Sequence, residues 1–361
     1  MLLEELLTEV FKRKASDLHL TPGMPPVFRI HGHLIRGEFA PMSTEECHRM
    51  LFSMLNSEQR RTLEQNWEID FSYGVESVGR FRVNIYKSNG KYSAALRAVH
   101  SIVPTFDDLG LPDICQKIAQ RPRGLVLVTG PTGSGKSTTL AAMLDWINNT
   151  FAHHILTVED PIEYVHMSKK SVIHQRELGQ DTHSFANALK SALREDPDII
   201  LVGEMRDLET ISLAITAAET GHLVFGTLHT SSAITTVDRI VDVFPPEQQT
   251  QIRVQLSNSL LAVFSQNLLP KLGQDGKVAG RALAQEIMIV TPAIANLIRE
   301  GKTAQMYSSI QTGSRNGMQT MEMALKYLYD KNWVTYEDAI SRAVRVDDFK
   351  RLVEGHSASL V

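Results

Sequence analysis

The chain opens on MLLEELLTEVFKRK, where Leu2, Leu3, Leu6, Leu7, Val10 and Phe11 recur at helical spacing, interrupted by Glu4, Glu5 and Glu9. That pattern predicts an amphipathic helix rather than a signal peptide. SDLHLT at 16–21 and VFRIHGHLI at 27–35 then alternate apolar with polar or small positions, as a half-buried strand does. A helical stretch follows around 45–63. After it, DFSYGV, GRFRVNIYKS and YSAALRAV, with turns at Gly74, Gly79 and Gly90, read as a run of antiparallel strands. Residues 1–100 are therefore expected to form a small α+β module.

SIVPTFDDLGLP at 101–112 holds two prolines, one glycine and two aspartates, and reads as a linker. Beyond it the pattern changes. The apolar segments LVLVTG, HILTVED, DIILVGE and HLVFGTLH alternate with helical stretches, the signature of a largely parallel, doubly wound sheet. From about Thr291 onward the reading is mostly helical. The expected fold class is α/β, with the α+β module first and the parallel-sheet domain spanning 113–361.

Composition narrows the class. A chain of 361 residues has room for two ordinary domains, and 43% hydrophobic with 22% charged residues is typical of a globular protein. The formal charge is 37 − 41 = −4, so no global field draws the chain to nucleic acid. Cys47 and Cys115 are the two cysteines; they form no CxxC, which rules out a cysteine-only zinc site and fits a reducing cytosol. No apolar run approaches the ~18 residues that span a bilayer. The expected location is the cytoplasm, with docking on a membrane protein still open.

The chemistry begins at GPTGSGKS, residues 130–137, a full GxxxxGK[ST] match between a strand and a helix. Gly130, Gly133 and Gly135 let the loop fold back so that backbone N–H groups converge on phosphate oxygens, with Pro131, Thr132 and Ser134 between them. Lys136 is expected to reach the β- and γ-phosphates, the Ser137 hydroxyl to ligate Mg²⁺, and Thr138 to complete the site at the helix start. The ligand this implies is ATP with Mg²⁺.

EDPDIILVGEMRD at 195–207 ends a buried strand on Gly203 and Glu204, where two acids in a row are common in nucleotide hydrolases. A carboxylate at a strand's carboxyl end can hold metal-bound water or orient the attacking one. VEDPIEY adds Glu159, Asp160 and Glu163 at another strand end, and GHLVFGTLHT brackets a strand with His222 and His229. Of these, Glu163 and His229 are the candidates, and His222, at the strand's start, reads as structural.

These four segments, in this order, resemble the secretion ATPase superfamily that powers type IV pili and type II secretion. SDLHL, RFRVN and QEIMIVTPAI resemble it too. The resemblance implies a PAS-like N-terminal domain and a RecA-like ATPase domain, assembled as a homo-hexamer. It implies Glu204 as catalytic glutamate, Glu163 as the acidic-box residue near metal and water, and His229 as sensor of the γ-phosphate. It also places Arg82 and Arg97 against the nucleotide, where guanidinium groups neutralise the transferring phosphoryl. Arg194 and Arg206 match family arginines as well, with structural ion pairing equally open.

Within the superfamily the likeness points to the retraction branch: an ATPase that disassembles pili during twitching motility, against an inner-membrane platform protein and alongside a possible paralogue. No four-cysteine insertion and no extra N-terminal domain are read in this chain, and assembly ATPases usually carry both. One departure stands out, AIANLIRE at 293–300, in which Ala295 replaces the arginine of that branch's AIRNLIRE. Assembly or type II secretion ATPases, an accessory retraction ATPase and a nucleic-acid motor are the alternatives.

Overall fold

The computed structural model describes residues 2–30, 32–75, 78–99 and 102–357. The chain divides into two compact units, 1–102 with 163–165, and 103–162 with 166–361.

The first unit starts with helix α1 (Leu3–Lys12), which buries Leu6, Leu7 and Val10 as the spacing predicts. Strands β1 (Asp17–Leu20), β2 (Val27–Ile30) and β3 (His33–Arg36) follow. VFRIHGHLI, expected as one strand, is thus a hairpin. Period-two alternation continues across a two-residue reversal, so the pattern alone cannot reveal the turn. His31 of that segment, and Ser101 of the expected linker, lie outside the described residues.

The helical stretch at 45–63 is likewise two helices, α2 (Thr44–Ser53) and α3 (Ser57–Asn66). The break falls at Asn56, which caps α3 by accepting the Gln59 N–H at 2.8 Å, just as Ser43 caps the start of α2 by accepting the Glu46 N–H at 3.1 Å. Strands β4 (Glu68–Val75), β5 (Gly79–Ser88) and β6 (Lys91–Ala98) form the expected antiparallel run. The sheet order is β3-β2-β1-β6-β5-β4. Its buried face, with Leu18, Leu20, Phe28, Phe81, Val83 and Ile85, packs on the helices.

Within 101–112 the chain makes one turn of helix, α4 (Phe106–Leu109), before α5 (Asp113–Ala119). Then β7 (Gly124–Thr129), α6 (Lys136–Thr150), β8 (His154–Glu159), β9 (Val172–Glu177), α7 (Phe185–Ala192), β10 (Ile199–Val202), α8 (Leu208–Glu219) and β11 (Leu223–Leu228) build the second sheet. Helices α9 (Ala233–Asp242) and α10 (Pro246–Ser259) lead to the long hairpin β12 (Leu260–Leu272) and β13 (Val278–Ile289). The strand order is β13-β12-β7-β11-β10-β8-β9. Every residue of β7, β10 and β11 is buried, as expected of parallel strands covered on both faces.

Sequence patterning missed β9, β12 and β13. VIHQRE is too polar for a core strand because it lies at the sheet edge, and Ser265, Gln266 and Asn267 interrupt the apolar run of β12. The remainder is helical, as expected: α11 (Pro292–Arg299), α12 (Met306–Thr312), α13 (Met321–Asp330), α14 (Tyr336–Arg342) and α15 (Val346–Ser357). Among the described residues, no helix is long and apolar enough to cross a membrane.

Candidate active site

Strands β7, β11, β10 and β8 are parallel neighbours, so their carboxyl ends share one edge. The 130–137 loop, His229, Glu204 and the acidic segment from Glu159 emerge side by side there, with strands ~4.8 Å apart. In an open α/β sheet this edge is where ligands bind.

After β7 the chain turns at Gly130, whose φ is +138°. A Cβ there would meet the Gln266 carbonyl oxygen at 2.3 Å and Ser134 Oγ at 2.6 Å, so only glycine fits. The loop's far side rests on β12, where Gln266 Nε2 donates to the Ser134 carbonyl at 3.0 Å and Gln285 Nε2 to Gln266 Oε1 at 3.1 Å. Sequence reasoning missed this pair. The available signal was polar residues inside an otherwise apolar strand, which are stable there only when hydrogen-bonded.

Lys136 donates to the Gly130 and Pro131 carbonyls at 2.9 and 3.1 Å, folding its ammonium over the loop. Ser134 Oγ is buried without a hydrogen-bond partner among the described residues. An orphaned hydroxyl, a lysine curled over the loop and a helix N-terminus at Lys136 all suit an anionic phosphate group.

Past β10, Gly203 lets two strands come close: a Cβ there would lie 3.0 Å from the Val158 carbonyl oxygen and 3.1 Å from Glu159 Cα. The Gly203 N–H donates to that carbonyl at 2.8 Å and the Met205 N–H to the Thr227 carbonyl at 3.0 Å, locking the Glu204 backbone between β8 and β11. A side chain at position 203 would have to push the end of β8 away by a few tenths of an ångström, which disfavours a second acid there. Glu204 Oε1 lies 3.0 Å from His229 Nε2 and pairs with Arg206. Burial pushes the Glu204 carboxyl up, but the Arg206 hydrogen bond and charge, helped by His229, outweigh it and hold the group below its ordinary value. It is therefore ionised at neutral pH.

Because Arg206 is the largest of the lowering influences, Arg206→Ala should raise the Glu204 pKa, which the pH dependence of the Glu204 carboxyl ¹³C signal measures. Glu204's own stabilising contribution, present above about 4.5, is lost as pH falls through its lower folded value. An unmoved titration of Glu204 in that variant would remove Arg206 from this role.

The other expected residues are distributed as follows. Glu159 accepts from Thr157 Oγ1 at 2.6 Å and Gln175 Nε2 at 3.2 Å. Glu163 is exposed, in the segment following Pro161. His222 Nδ1 lies 2.9 Å from the Ala217 carbonyl oxygen, a structural contact. Arg82 and Arg97 face each other in register across β5 and β6 and pair with acids of their own sheet. The Arg82 partner is Asp70 at 2.6 Å, and the Arg97 partner is Asp17 at 2.9 Å. Arg194 is exposed just beyond α7.

Such a phosphate loop, with a carboxylate–histidine pair on the adjoining strand ends, is the equipment of a nucleoside triphosphatase. Residues 1–332 match the family described as type II/IV secretion system protein, and the chain belongs to it. Within that family it is similar to the type IV pilus retractation ATPase PilT of Pseudomonas aeruginosa. The two are 55% identical over 347 residues, covering 96% of this chain and 99% of the relative. A twitching motility protein of Neisseria gonorrhoeae is 56% identical over 88% of this chain and 84% of its own length. The solved structure of the pilus retraction motor PilT with bound ADP superposes with a TM-score of 0.90 at 49% identity, covering 97% of this chain and 99% of that one. The resemblance drawn from the four motifs is borne out.

Proposed function

We propose that this chain is the ATP-driven motor that retracts type IV pili. The arrangement that carries the reading is the phosphate loop beside the Glu204–His229 pair on one sheet edge, in a chain that matches the PilT relative almost end to end. Glu204 orients and deprotonates the water that attacks the γ-phosphate, and His229, 3.0 Å away, relays the state of that phosphate. Lys136 exchanges its loop carbonyls for phosphate oxygens. The Ser137 hydroxyl offers a hard oxygen donor of the kind Mg²⁺ takes, and Mg²⁺ would supply neutralisation of phosphate charge when bound. Gly130, Pro131, Thr132, Gly133, Ser134, Gly135 and Thr138 frame the nucleotide.

In this reading a PAS-like domain, 1–100, and a RecA-like domain, 113–361, assemble as a homo-hexamer on an inner-membrane platform protein at the cytoplasmic face. Arg82 and Arg97, paired with Asp70 and Asp17 in the first unit, are the arginines that the family resemblance assigns to neutralising the nucleotide. Helix α11 supports the retraction side: Ile294 and Ile298 are buried while Arg299 and Glu300 stay exposed for a partner. Ala295, where the retraction branch carries arginine, keeps an accessory retraction role as the second reading.

Deleting the gene should leave cells with surface pili and no twitching, because filaments are made and not withdrawn. Motility on agar and sheared-pilin yield measure both. Loss of surface pili in the deletion strain would move the protein to the assembly side. Normal twitching would assign it an accessory role.

A further inference from the structure

Glu286 is an ionisable residue inside the hydrophobic core, 3% exposed on β13. It shares one rung of the sheet with Ser265, Thr129 and Leu228, the last two being the final residues before the phosphate loop and before His229. Its Oε1 accepts the Ala233 N–H at 2.6 Å, and the Met321 N–H acts on the same carboxyl. Ala233 and Met321 are the first residues of α9 and α13. A single buried carboxylate therefore receives the starts of two helices, where an anion is favoured by both the free N–H groups and the helix dipoles.

The start of α9 is firmly tied to the site. His229 is joined to Ala233 by the link 230–232, and side chains stitch that link to the helix. Thr230 Oγ1 lies 2.6 Å from Thr236 Oγ1, Thr236 Oγ1 donates to the Ser232 carbonyl at 2.7 Å, and Ser232 caps the helix through the Thr235 N–H at 3.2 Å. A shift of the first turn of α9 is carried directly to His229. The start of α13 belongs to a second buried cluster. Glu322 accepts the Val344 and Arg345 N–H groups at 3.0 and 2.8 Å. The Tyr307 hydroxyl lies 3.3 Å from Glu322 and 2.9 Å from Asp348.

We propose that Glu286 is a positioning residue for hydrolysis: by holding the first N–H of α9 it sets His229 against Glu204, and through α13 it links that setting to the C-terminal helices. This rests on the ATPase reading of the site. The charged groups acting on Glu286 are Glu322, from α13, and Arg345, from the turn before α15. Strand β12 opposes it with uncharged Ser265, α9 with Ala233, and α12 contributes Tyr307 to the Glu322 cluster. Burial, against the two backbone bonds, pushes Glu286 up to about 7. The two-helix clamp is strongest in the ionised form, so it tightens as pH rises through neutrality.

The test is steady-state ATP hydrolysis by the full chain from about pH 6 to about pH 8.5, a range that brackets the titration. Glu286→Gln removes the charge and turns an amide N–H toward a helix N–H. It should lower kcat about tenfold, leave KM for ATP unchanged, and flatten the fall of kcat below neutrality. Its thermal midpoint at neutral pH should change little, because release from burying a charge offsets the one helix N–H bond that the amide cannot accept. Ala233→Pro is the second variant. Proline is tolerated by the backbone at a first helical position after an extended residue, and Ser232 has φ −149° and ψ 162°; its ring carbon takes the place of the N–H that lies 2.6 Å from Glu286 Oε1, so the variant both removes the bond and pushes the carboxylate away. It should lower kcat similarly, and the double variant should be no worse than the poorer single one.

Wild-type kcat and pH profile in Glu286→Gln would overturn the proposal, as would a lower thermal midpoint with an unchanged profile or multiplying effects of the two variants. Lys136→Ala run in parallel separates the two levels. If wild type shows no turnover beyond Lys136→Ala, the ATPase reading falls and this inference with it. If wild type turns over, Lys136→Ala does not, and Glu286→Gln behaves as wild type, only the role of Glu286 is lost.

Discussion

Replacing Glu204 with alanine should leave ATP bound and nearly stop its hydrolysis. The phosphate loop does not depend on this side chain: Gly130 is seated on β12, and Ser134 is held by Gln266. What disappears is the ionised carboxylate beside His229, the group available to orient and deprotonate water. Losing a positioned base typically costs ~10²–10⁴-fold in kcat. The substitution also leaves Arg206 without the carboxylate it pairs with, so a modest change in affinity is expected as well. Phosphate release gives kcat, and titration with a fluorescent nucleotide gives the dissociation constant. Near-normal turnover would take Glu204 out of the reaction, whereas lost binding would show that it shapes the nucleotide pocket instead.

Lys136→Ala should damage binding and turnover together. In the structure the ammonium lies on the Gly130 and Pro131 carbonyls, at 2.9 and 3.1 Å, in position to exchange those weak acceptors for phosphate oxygens. Charge-assisted hydrogen bonds contribute about 1.5–3 kcal/mol each, so losing the contact should weaken binding roughly tenfold to a hundredfold. In the proposed mechanism the same group neutralises developing charge on the γ-phosphate, so kcat should fall by at least about 10² more. Calorimetric titration and phosphate release measure the two losses separately. A variant that binds and hydrolyses ATP like wild type would exclude the loop as the phosphate cradle.

Much of this site was legible before any coordinates. A glycine-rich loop between a strand and a helix is a local device, because the backbone conformation it needs is written into residues 130–137 themselves. Fully buried parallel strands announce themselves as continuous apolar runs, so β7, β8, β10 and β11 were readable. With those strands placed, Glu204 and His229 had to fall at carboxyl ends, and the resemblance to the secretion ATPases assigned their roles.

What the tertiary structure alone decided concerns pairings between distant segments. Polar patterning hid β12, yet β12 lies beside β7 and supplies the carbonyl that forbids any side chain at Gly130. Arg206 was one of several candidate arginines, and only the fold puts it on Glu204, while Arg82 and Arg97 pair with Asp70 and Asp17. Glu286 looked like one acid in QEIMI. Its environment is assembled from Ala233, Met321, Glu322 and Arg345, which are dispersed along the chain and brought together by packing. Local backbone needs are satisfied by neighbours in sequence and can be read there. The charge state of a buried carboxylate depends on desolvation and on partners from other elements, and those exist only once the chain has folded.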